Sequence, residues 1–397
     1  MKDTSAPFRL LDTNIINSFS KLHTPCYVID EAAIKRNCEI LSFVQQKAGC
    51  KILLAQKAFS NFNIYPLIEK YLSGSEASGL YEARLGKEEM PSKEVHVFCG
   101  AYKDEEFDEL LNYADHIVFN SVVQLKKFAK KAKKNNKSIG LRINPECSTQ
   151  DHGIYDPCAS GSRLGVTRDI FDKEMTKEYL ELLDGIHFHT LCEQNSDALE
   201  ITIKAVEEKF SDVLKKVKWL NMGGGHHITR DDYDKEKLIR IVKNIKAKYD
   251  VDVYLEPGEA VALNAGYLVS RVLDEVKNSD VKNLILDASA ACHMPDVIEM
   301  PYMPPIYGAS KDEDKEYKYR LTGPTCLAGD IVGDYTFDEK INLNDYIIFG
   351  DMAIYSMCKN NTFNGMPLPN IYELKEDKSI ELIKSFNYSD FKERLGK

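Results

Sequence analysis

The chain has 397 residues, of which 43% are hydrophobic and 29% are charged, as is usual for a globular protein of more than one domain. Its formal net charge of −10 argues against nucleic acid as a partner and is compatible with a small cationic substrate. Ten cysteines without CxxC spacing indicate neither a disulfide scaffold nor a zinc site, so no metal is expected. No signal-peptide pattern and no apolar run of membrane-spanning length is found, so we expect a cytoplasmic protein with no membrane partner.

Short apolar runs alternate with amphipathic stretches through the first two thirds of the chain. A strand at 24–30 and a helix at 31–48 come first. Eight further strand candidates follow, at 51–56, 71–77, 95–99, 116–120, 139–144, 185–190, 219–222 and 253–256. Strands that alternate with helices favour parallel pairing, and eight of them in about 210 residues match a (β/α)8 barrel better than an open sheet. We therefore predict an α/β fold whose barrel domain spans residues 24–263.

The pattern changes after residue 263. Strand-like runs such as LVSRVLDEV, NLILDAS, YKYRLTGPTC and DYIIFGDM follow one another without a long helix. This predicts a second, mostly β domain made of residues 264–397 together with residues 1–23. Within the barrel, the interval 145–166 is rich in Gly, Ser, Asp and Cys, and it is predicted to be a long functional loop.

Polar or glycine residues end six of the eight predicted barrel strands. These residues are Lys57, Glu76, Arg142, His189, the run Gly223, Gly224 and Gly225, and Glu256. In a (β/α)8 barrel the functional groups lie at the carboxyl ends of the strands. The six positions therefore predict one site at that end of the barrel.

Each of these residues also has an ordinary structural interpretation. Lys57 could be an exposed lysine, His189 a satisfied core histidine, and Glu256 a turn cap, while three glycines could only form a tight turn. As a group they indicate different chemistry. A lysine amine forms a Schiff base with a carbonyl compound, and glycine amides bind phosphate. An imidazole can stack on an aromatic ring, and a buried carboxylate needs a cation such as a protonated pyridine nitrogen. The combination predicts a pyridoxal 5'-phosphate site, whereas the GxGxxG spacing of a dinucleotide site is absent.

Seven motifs carry a resemblance to a known family: LLAQKAFS, SGSEASGLYE, HFHTLCE, NMGGGHH, LEPGEA, DASAACHMPDV and GPTCLAGD. With them, nearly the whole chain resembles the fold-type III pyridoxal phosphate decarboxylases, the alanine racemase-like barrels that include ornithine and diaminopimelate decarboxylases. Within this family it is most similar to the carboxynorspermidine and carboxyspermidine decarboxylases. The resemblance implies a decarboxylase of polyamine biosynthesis that converts these compounds to norspermidine or spermidine.

The resemblance also implies roles for individual residues. Lys57 forms the Schiff base, His189 stacks on the cofactor ring, the three glycines bind its phosphate and Glu256 faces its ring nitrogen. Glu76 and Arg142 complete the cofactor site.

Three residues of the second domain join this set by resemblance. Cys326 is similar to a cysteine that a second subunit contributes near Cα, where it could return a proton to the carbanion. Asp330 is similar to a nearby acidic residue that contacts substrate, although the usual Cys-Asp pair is Cys326-Leu327 here. Tyr355 matches an aromatic residue near the cofactor. Because the site draws on a second subunit, the resemblance implies a head-to-tail homodimer.

Two departures from the family pattern bear on the substrate. Related decarboxylases usually carry arginine after EPG, where this chain has Glu259, and their glycine-serine step after the barrel histidine is replaced by residues 190–193, TLCE. A carboxylate at Glu259 would repel a second substrate carboxylate and attract an amine, by about 1 kcal/mol or more when partly desolvated. Asp296 falls where relatives bind a distal amine, although it could also cap a helix. We expect Glu259 and Asp296 to bind the ammonium groups of a polyamine chain.

Three alternatives stay open at this stage. The first is a diaminopimelate, ornithine or arginine decarboxylase of the same fold. The second is a non-catalytic pyridoxal phosphate carrier, which the large β domain disfavours. The third is alanine racemase, which Glu256 disfavours because a protonated ring nitrogen suits the loss of CO2 better than racemisation. The choice between carboxynorspermidine and carboxyspermidine is also open, since one methylene is worth only about 1 kcal/mol.

Overall fold

A computed structural model describes residues 12–150, 153, 156–311 and 315–397. Packing divides the chain into two domains, a barrel domain of residues 35–261 and a sheet domain of Met1–Ile34 and Ala262–Lys397. The first boundary thus falls after residue 34 rather than after 23, and the second after 261 rather than 263. The reason is the strand Cys26–Asp30, whose partners among the described residues are two strands of the C-terminal part of the chain.

The chain begins with helix α1 (Thr13–Phe19), strand β1 (Cys26–Asp30) and helix α2 (Glu31–Ala48). The next eight strands close into a parallel barrel in chain order, which confirms the predicted fold. They are β2 (Lys51–Ala55), β3 (Gly74–Ala77), β4 (Glu94–Phe98), β5 (His116–Phe119), β6 (Ser138–Arg142), β7 (Gly185–His187), β8 (Trp219–Asn221) and β9 (Asp252–Leu255). Closure pairs β9 with β2, where Tyr254 lies opposite Lys51.

Helices follow most of the barrel strands. They are α3 (Tyr65–Ile68), α4 (Leu80–Glu89), α5 (Asp104–Leu110), α6 (Val122–Lys134), α7 (Arg168–Glu174), α8 (Lys177–Leu182), α9 (Ser196–Leu214), α10 (Lys235–Tyr249) and α11 (Glu259–Ala262), with a 3-10 turn at Phe62–Ile64. Helix α10 shows how the sequence sets their bounds. The Asp234 side chain accepts a hydrogen bond from the Lys237 amide, and the helix ends at Asp250 in the left-handed conformation. Between them, Leu238, Val242 and Ile245 recur at helical spacing and are buried.

The only tryptophan of the chain fills much of the barrel interior. Trp219 packs over glycines on the two preceding strands, and a Cβ added to Gly185 or Gly140 would lie 1.9 or 2.3 Å from its ring. The indole N–H donates to Ser138 Oγ at 2.9 Å. Large and small residues therefore interdigitate across neighbouring strands, and the barrel is a packed core rather than a channel.

The sheet domain contains a nine-stranded sheet. Its later strands are β10 (Gly266–Asn278), β11 (Val281–Leu286), β12 (Ala309–Ser310), β13 (Tyr317–Thr322), β14 (Ile331–Phe337), β15 (Tyr346–Gly350), β16 (Asn370–Leu374) and β17 (Ile380–Lys384). Short helices accompany them, α12 (Ala290–His293), α13 (Asp296–Glu299), α14 (Ser356–Lys359) and α15 (Tyr388–Glu393), with a 3-10 turn at Phe363–Gly365. Strand β1 lies between β10, which is antiparallel to it, and β16, which is parallel. One face buries an apolar core that includes Tyr27, Leu268, Leu321, Tyr335 and Phe349.

The predicted functional loop lies between β6 and α7. Residues 151, 152, 154 and 155 fall outside the described residues, and the rest of 145–165 contains no α-helix or strand. Thr149 and Gln150 bond to Gln194 in the loop after β7. Among all the described residues, no helix has the length and apolarity that crossing a membrane requires.

Candidate active site

Lys57 lies in the turn that follows β2, at the carboxyl end of the barrel. Its side chain is 36% exposed, and its Nζ lies 3.8 Å from Oε2 of Glu76, which is almost fully buried on β3. Burial raises the pKa of Glu76, and the charge of Glu256 raises it further, whereas Lys57 opposes the shift. The structure thus places an accessible amine beside a buried acid.

Glu256 follows β9 and is 3% exposed. Asn221 Nδ2 donates to its Oε1 at 2.5 Å, and His187 Nε2 lies 3.1 Å from its Oε2. Burial alone would raise the pKa of Glu256, but the interactions with His187 and the charge of Lys57 lower it. Glu256 is therefore held as a carboxylate inside the barrel, as a partner of a protonated ring nitrogen must be.

Sequence reasoning missed both supports of Glu256. His187 lies two residues before His189 on the same strand-like segment, so the period of two places both side chains on one face. Asn221 ends β8, two residues before the first glycine of the run, and is fully buried. The HFH and NMGGG motifs could have indicated His187 and Asn221, because polar residues at the carboxyl ends of barrel strands are candidates for the site.

Arg142 ends β6 and belongs to the same group of residues. Its Nη2 donates to the backbone oxygen of His189 at 3.1 Å, and its guanidinium lies 4.5 Å from the centre of the Phe98 ring. Phe98 in turn stacks on His187, with 5.4 Å between ring centres. Burial lowers the pKa of Arg142 to about 10, so the group stays cationic at neutral pH. It balances the charges of the buried acids.

The glycine loop after β8 fits tightly between its neighbours. A Cβ on Gly224 would lie 2.4 Å from the oxygen of Glu256, and one on Gly225 would lie 2.1 Å from the oxygen of Leu191. Gly223 and Gly225 also have φ values of +68° and +78°, which favour glycine. The Gly223 amide, which the sequence predicted to bind phosphate, donates instead to Asn221 Oδ1 at 2.9 Å and so stabilises the loop.

His189 is held by the same loop. The Gly224 amide donates to its Nδ1 at 3.2 Å, so this nitrogen carries no proton. Burial, together with the nearby Lys57 and Arg142 charges, holds the pKa of His189 well below its usual range. The imidazole is therefore neutral, which suits a ring that stacks on an aromatic cofactor.

Glu259 begins α11, three residues after Glu256. Its Oε2 lies 2.8 Å from Nε2 of His227, a residue that follows the glycine loop. The sequence predicted Glu259 to bind substrate, and it did not predict this partner.

In the sheet domain, Cys326 is exposed and its amide donates to Asn364 Oδ1 at 2.9 Å. Asp330 is buried and accepts hydrogen bonds from Ser289 Oγ at 2.9 Å and from Thr325 Oγ1 at 2.6 Å. Asp330 thus fixes the loop that carries Cys326, and a contact of Asp330 with substrate remains a prediction.

Asp296 and Tyr355 are the other two sheet-domain residues predicted for the site. Asp296 is the first residue of α13, and its carboxylate pairs with Lys359 on α14, which also binds Glu299 at 2.8 Å. Tyr355 precedes α14 with a φ of +56°, and Lys359 Nζ lies 5.6 Å from its ring centre. The sequence did not predict the pairing with Lys359, because the two residues lie far apart in the chain.

Comparisons with known proteins agree with this chemistry. Residues 26–353 match the family described as "Pyridoxal-dependent decarboxylase, C-terminal sheet domain". The chain belongs to the pyridoxal-dependent decarboxylases. This confirms the cofactor and the reaction type predicted from the sequence, and it decides against the racemase and the non-catalytic carrier.

The similarity to individual relatives extends over almost the whole length of this decarboxylase. It is 43% identical to the carboxynorspermidine/carboxyspermidine decarboxylase of Campylobacter jejuni, over 94% of this chain and 98% of that protein. It is 38% identical to the carboxyaminopropylagmatine decarboxylase of Synechocystis, over 95% and 96% of the two chains. The crystal structure of carboxynorspermidine decarboxylase from Campylobacter jejuni, complexed with norspermidine, superposes with a TM-score of 0.86 at 42% identity, covering 94% of this chain and 100% of that one.

The barrel residues fit pyridoxal phosphate. Its aldehyde requires an accessible amine, which Lys57 offers. Its ring nitrogen requires an ionised carboxylate, which Glu256 offers, and its ring face suits a neutral imidazole, which His189 offers. The loop of three glycines has no room for side chains, because added Cβ atoms would meet the backbone of Phe188, Leu191 and Glu256. A glycine-rich loop that follows a barrel strand is the kind of backbone that binds phosphate.

Proposed function

We propose that this decarboxylase converts carboxynorspermidine or carboxyspermidine to norspermidine or spermidine, within polyamine biosynthesis. The observation that carries the proposal is the 43% identity, over 94% of the chain, to a relative named for both substrates. The norspermidine complex of a similar structure supports a polyamine product. Glu259 supports a cationic substrate, because it supplies a carboxylate at a position where related enzymes carry arginine.

The chain's own residues divide the work around the cofactor. When bound, pyridoxal phosphate supplies an electron sink for the carbanion that forms at Cα as CO2 leaves. Lys57 would hold the cofactor through its partly exposed amine. Glu256, held by His187 and Asn221, keeps the proton on the ring nitrogen, which deepens the sink. His189 would lie against the ring face.

The remaining barrel residues hold the cofactor and its charge. The loop of Gly223, Gly224 and Gly225 would hold the phosphate, while Glu76 and Arg142 complete the charge balance around Lys57. In the sheet domain, Tyr355 would lie near the cofactor of the shared site.

The sheet domain completes the site in a homodimer, in which Cys326 of a second copy returns a proton to Cα. Two features support this role, the exposure of Cys326 and the bonds from Asn364 and Asp330 that fix its loop. Mixing inactive Lys57→Ala and Cys326→Ala proteins tests the shared site. Recovery to about a quarter of wild-type activity is expected, since half of the dimers carry one intact site. No recovery after proven subunit exchange contradicts it.

The substrate's amines meet acidic side chains. Glu259 binds one ammonium group of the substrate. Asp296 and Asp330 bind nearer the distal end of the substrate's polyamine chain. Asp296 exchanges its ion pair with Lys359 for the substrate's amine. An exchange of this kind costs little net energy, because a partly exposed ion pair contributes only about 0–1 kcal/mol.

A second candidate substrate is carboxyaminopropylagmatine, which the 38% identity to the Synechocystis enzyme favours. It carries a guanidinium in place of the distal amine. Release of CO2 from a panel of carboxynorspermidine, carboxyspermidine, carboxyaminopropylagmatine and diaminopimelate decides the matter. We expect kcat/KM on one of the first two to exceed that on diaminopimelate by at least about a hundredfold. Preference for either of the last two compounds refutes the proposed substrate.

The proposed location is the cytoplasm. All ten cysteines are free thiols, and three of them, Cys26, Cys38 and Cys50, are buried with their pKa values raised to about 12 by burial. Free thiols throughout the chain suit a reducing compartment.

A further inference from the structure

Three ionisable side chains from three loops meet at the carboxyl end of the barrel. Glu193 follows β7, His227 follows β8 and Glu259 follows β9, and one ligand atom of each lies within 4.8 Å of the other two. The roles assigned above use only Glu259. Glu193 and His227 therefore belong to an ionisable cluster and have no role in the reaction described above.

The loops that carry the cluster are fixed to one another. The His227 amide donates to the oxygen of Gln194 at 3.3 Å, and Thr229 Oγ1 donates to the oxygen of Ala260 at 2.7 Å. Glu193 has a φ of +54°, a conformation that residues with a side chain rarely adopt. A strained backbone of this kind persists only where its surroundings hold it, and such positions occur often at functional sites.

The cluster is negatively charged and largely shielded from water. His227 Nε2 lies 2.8 Å from Glu259 Oε2, and the two side chains are 5% and 12% exposed. Burial alone would lower the pKa of His227, but the hydrogen bond to Glu259 and the charge of Glu193 raise it. Two carboxylates thus face one imidazole, while the Arg230 guanidinium bonds to Asp232 instead. A net charge of this sign in a partly desolvated place attracts a cation.

The cluster borders the residues around Lys57. A Cβ added to Gly258 would lie 2.6 Å from Ala58 Cβ and 3.0 Å from the oxygen of Ala55, so the segment before Glu259 packs against both sides of Lys57. Because β2 pairs with β9, Lys57 and Glu259 follow neighbouring strands at the same end of the barrel, and this placement favours a substrate that reaches from one to the other.

An organic ammonium suits the cluster better than a metal ion. Two carboxylates and an imidazole form a common ligand set for divalent metals. However, His227 Nε2 already lies 2.8 Å from Glu259 Oε2, and a metal ion that used this nitrogen would have to break that hydrogen bond. An ammonium group needs only carboxylate oxygens as acceptors, and both glutamates supply them.

We propose that Glu193 and Glu259 together bind one ammonium group of the substrate's polyamine chain, and that His227 is the positioning residue that holds Glu259. This inference rests on the proposed function, since only a substrate with a nitrogen beyond its α-amine would use the subsite. It adds a specificity determinant to the barrel and explains why the loop after β7 carries an acidic residue.

The test uses holoenzyme forms of the wild type, Glu193→Gln, His227→Gln and His227→Ala. Steady-state kinetics with carboxynorspermidine are combined with calorimetric titrations of norspermidine. We expect Glu193→Gln to raise both KM and the norspermidine Kd about tenfold with kcat little changed, because the lost contact binds ground state and transition state alike. His227→Ala is expected to act similarly. His227→Gln, which keeps an N–H donor for Glu259, should restore most of the affinity.

Glu207→Gln is the matched control, since it removes the same charge from a half-buried glutamate that binds Lys248 at 2.7 Å on the outer helices. Unchanged KM and Kd in Glu193→Gln, in an enzyme whose wild type turns over the substrate, overturn the subsite but not the proposed function. Absence of wild-type turnover refutes the proposed function, and the norspermidine titrations then test the subsite alone. A wild-type KM that rises after chelation also overturns the inference, because it would make the cluster a metal site.

Discussion

His187 Nε2 and Glu256 Oε2 lie 3.1 Å apart inside the barrel, and both side chains are almost fully buried. With Asn221 on its other oxygen, the carboxylate of Glu256 has a partner on each side. Burial lowers the pKa of His187, whereas the interactions with Glu256 raise it, and the net shift is downward. At neutral pH the pair is therefore a neutral imidazole that donates to a carboxylate, and this arrangement keeps Glu256 ready for a cationic partner.

Removal of this donor should weaken the cofactor site. In His187→Leu, Oε2 of Glu256 would be buried without its donor, so the pKa of Glu256 should rise. We expect kcat to fall at least about tenfold, the acid limb of the kcat profile to move to higher pH and the apoenzyme to bind pyridoxal phosphate more weakly. His187→Gln keeps a donor and should lose less. Equal pH profiles for wild type and His187→Leu would refute this role of His187.

The glycine loop offers a steric test. Gly224→Ala places a Cβ 2.4 Å from the oxygen of Glu256, so the loop must move away from β9. Cofactor affinity, measured by titration of the apoenzyme, should fall at least about tenfold, since the displaced loop would no longer hold the phosphate or keep its hydrogen bond to His189. Gly100→Ala, which has no atom within 4 Å of its added Cβ, is the control and should bind as wild type does. Equal affinities for both variants would show that the loop position does not matter.

A pH dependence of stability is expected from the opposite end of the barrel. Glu94 begins β4, where its carboxylate pairs with Lys51 and lies 3.2 Å from His96 Nε2. Burial opposes ionisation, but these two partners prevail and lower the pKa of Glu94 from 4.5 to about 2. Because the folded-state pKa is depressed, the stabilisation is complete above the unfolded value and is lost as the pH falls towards 2.

Urea unfolding of wild type and Glu94→Gln measures this effect. After allowance for the exposed third of the side chain, we expect wild type to be about 1–2 kcal/mol more stable at pH 6. The difference should shrink steadily below pH 5. A difference that stays constant from pH 6 to pH 3 would mean that the charge of Glu94 contributes nothing.

Much of the fold could be predicted because short apolar runs mark buried strands. Each of the eight barrel strands overlaps its predicted range, and helices α2 and α10 carry apolar residues at regular helical spacing. The prediction was weakest where long-range pairing decides. Strand β1 resembles a barrel strand in sequence, yet it pairs with β10 and β16, and only the folded chain reveals these partners.

The site shows the same division. Lys57, His189 and Glu256 could be predicted as candidates for the site because each is an unusual residue at a predicted strand end, and their roles remain predictions. The hydrogen-bond partners of Glu256 and Glu259 could not, since His187 and His227 reach them from neighbouring strands and loops. Such contacts depend on the stagger of the barrel strands, which residue types alone do not determine.

Peptide mapping of the holoenzyme after borohydride reduction tests the central claim most directly, because reduction fixes pyridoxal phosphate to the amine that carries it. We predict the added mass on the peptide that contains Lys57, and its loss in Lys57→Ala. Labelling of another lysine, or no labelling in a preparation that decarboxylates its substrate, would contradict the account.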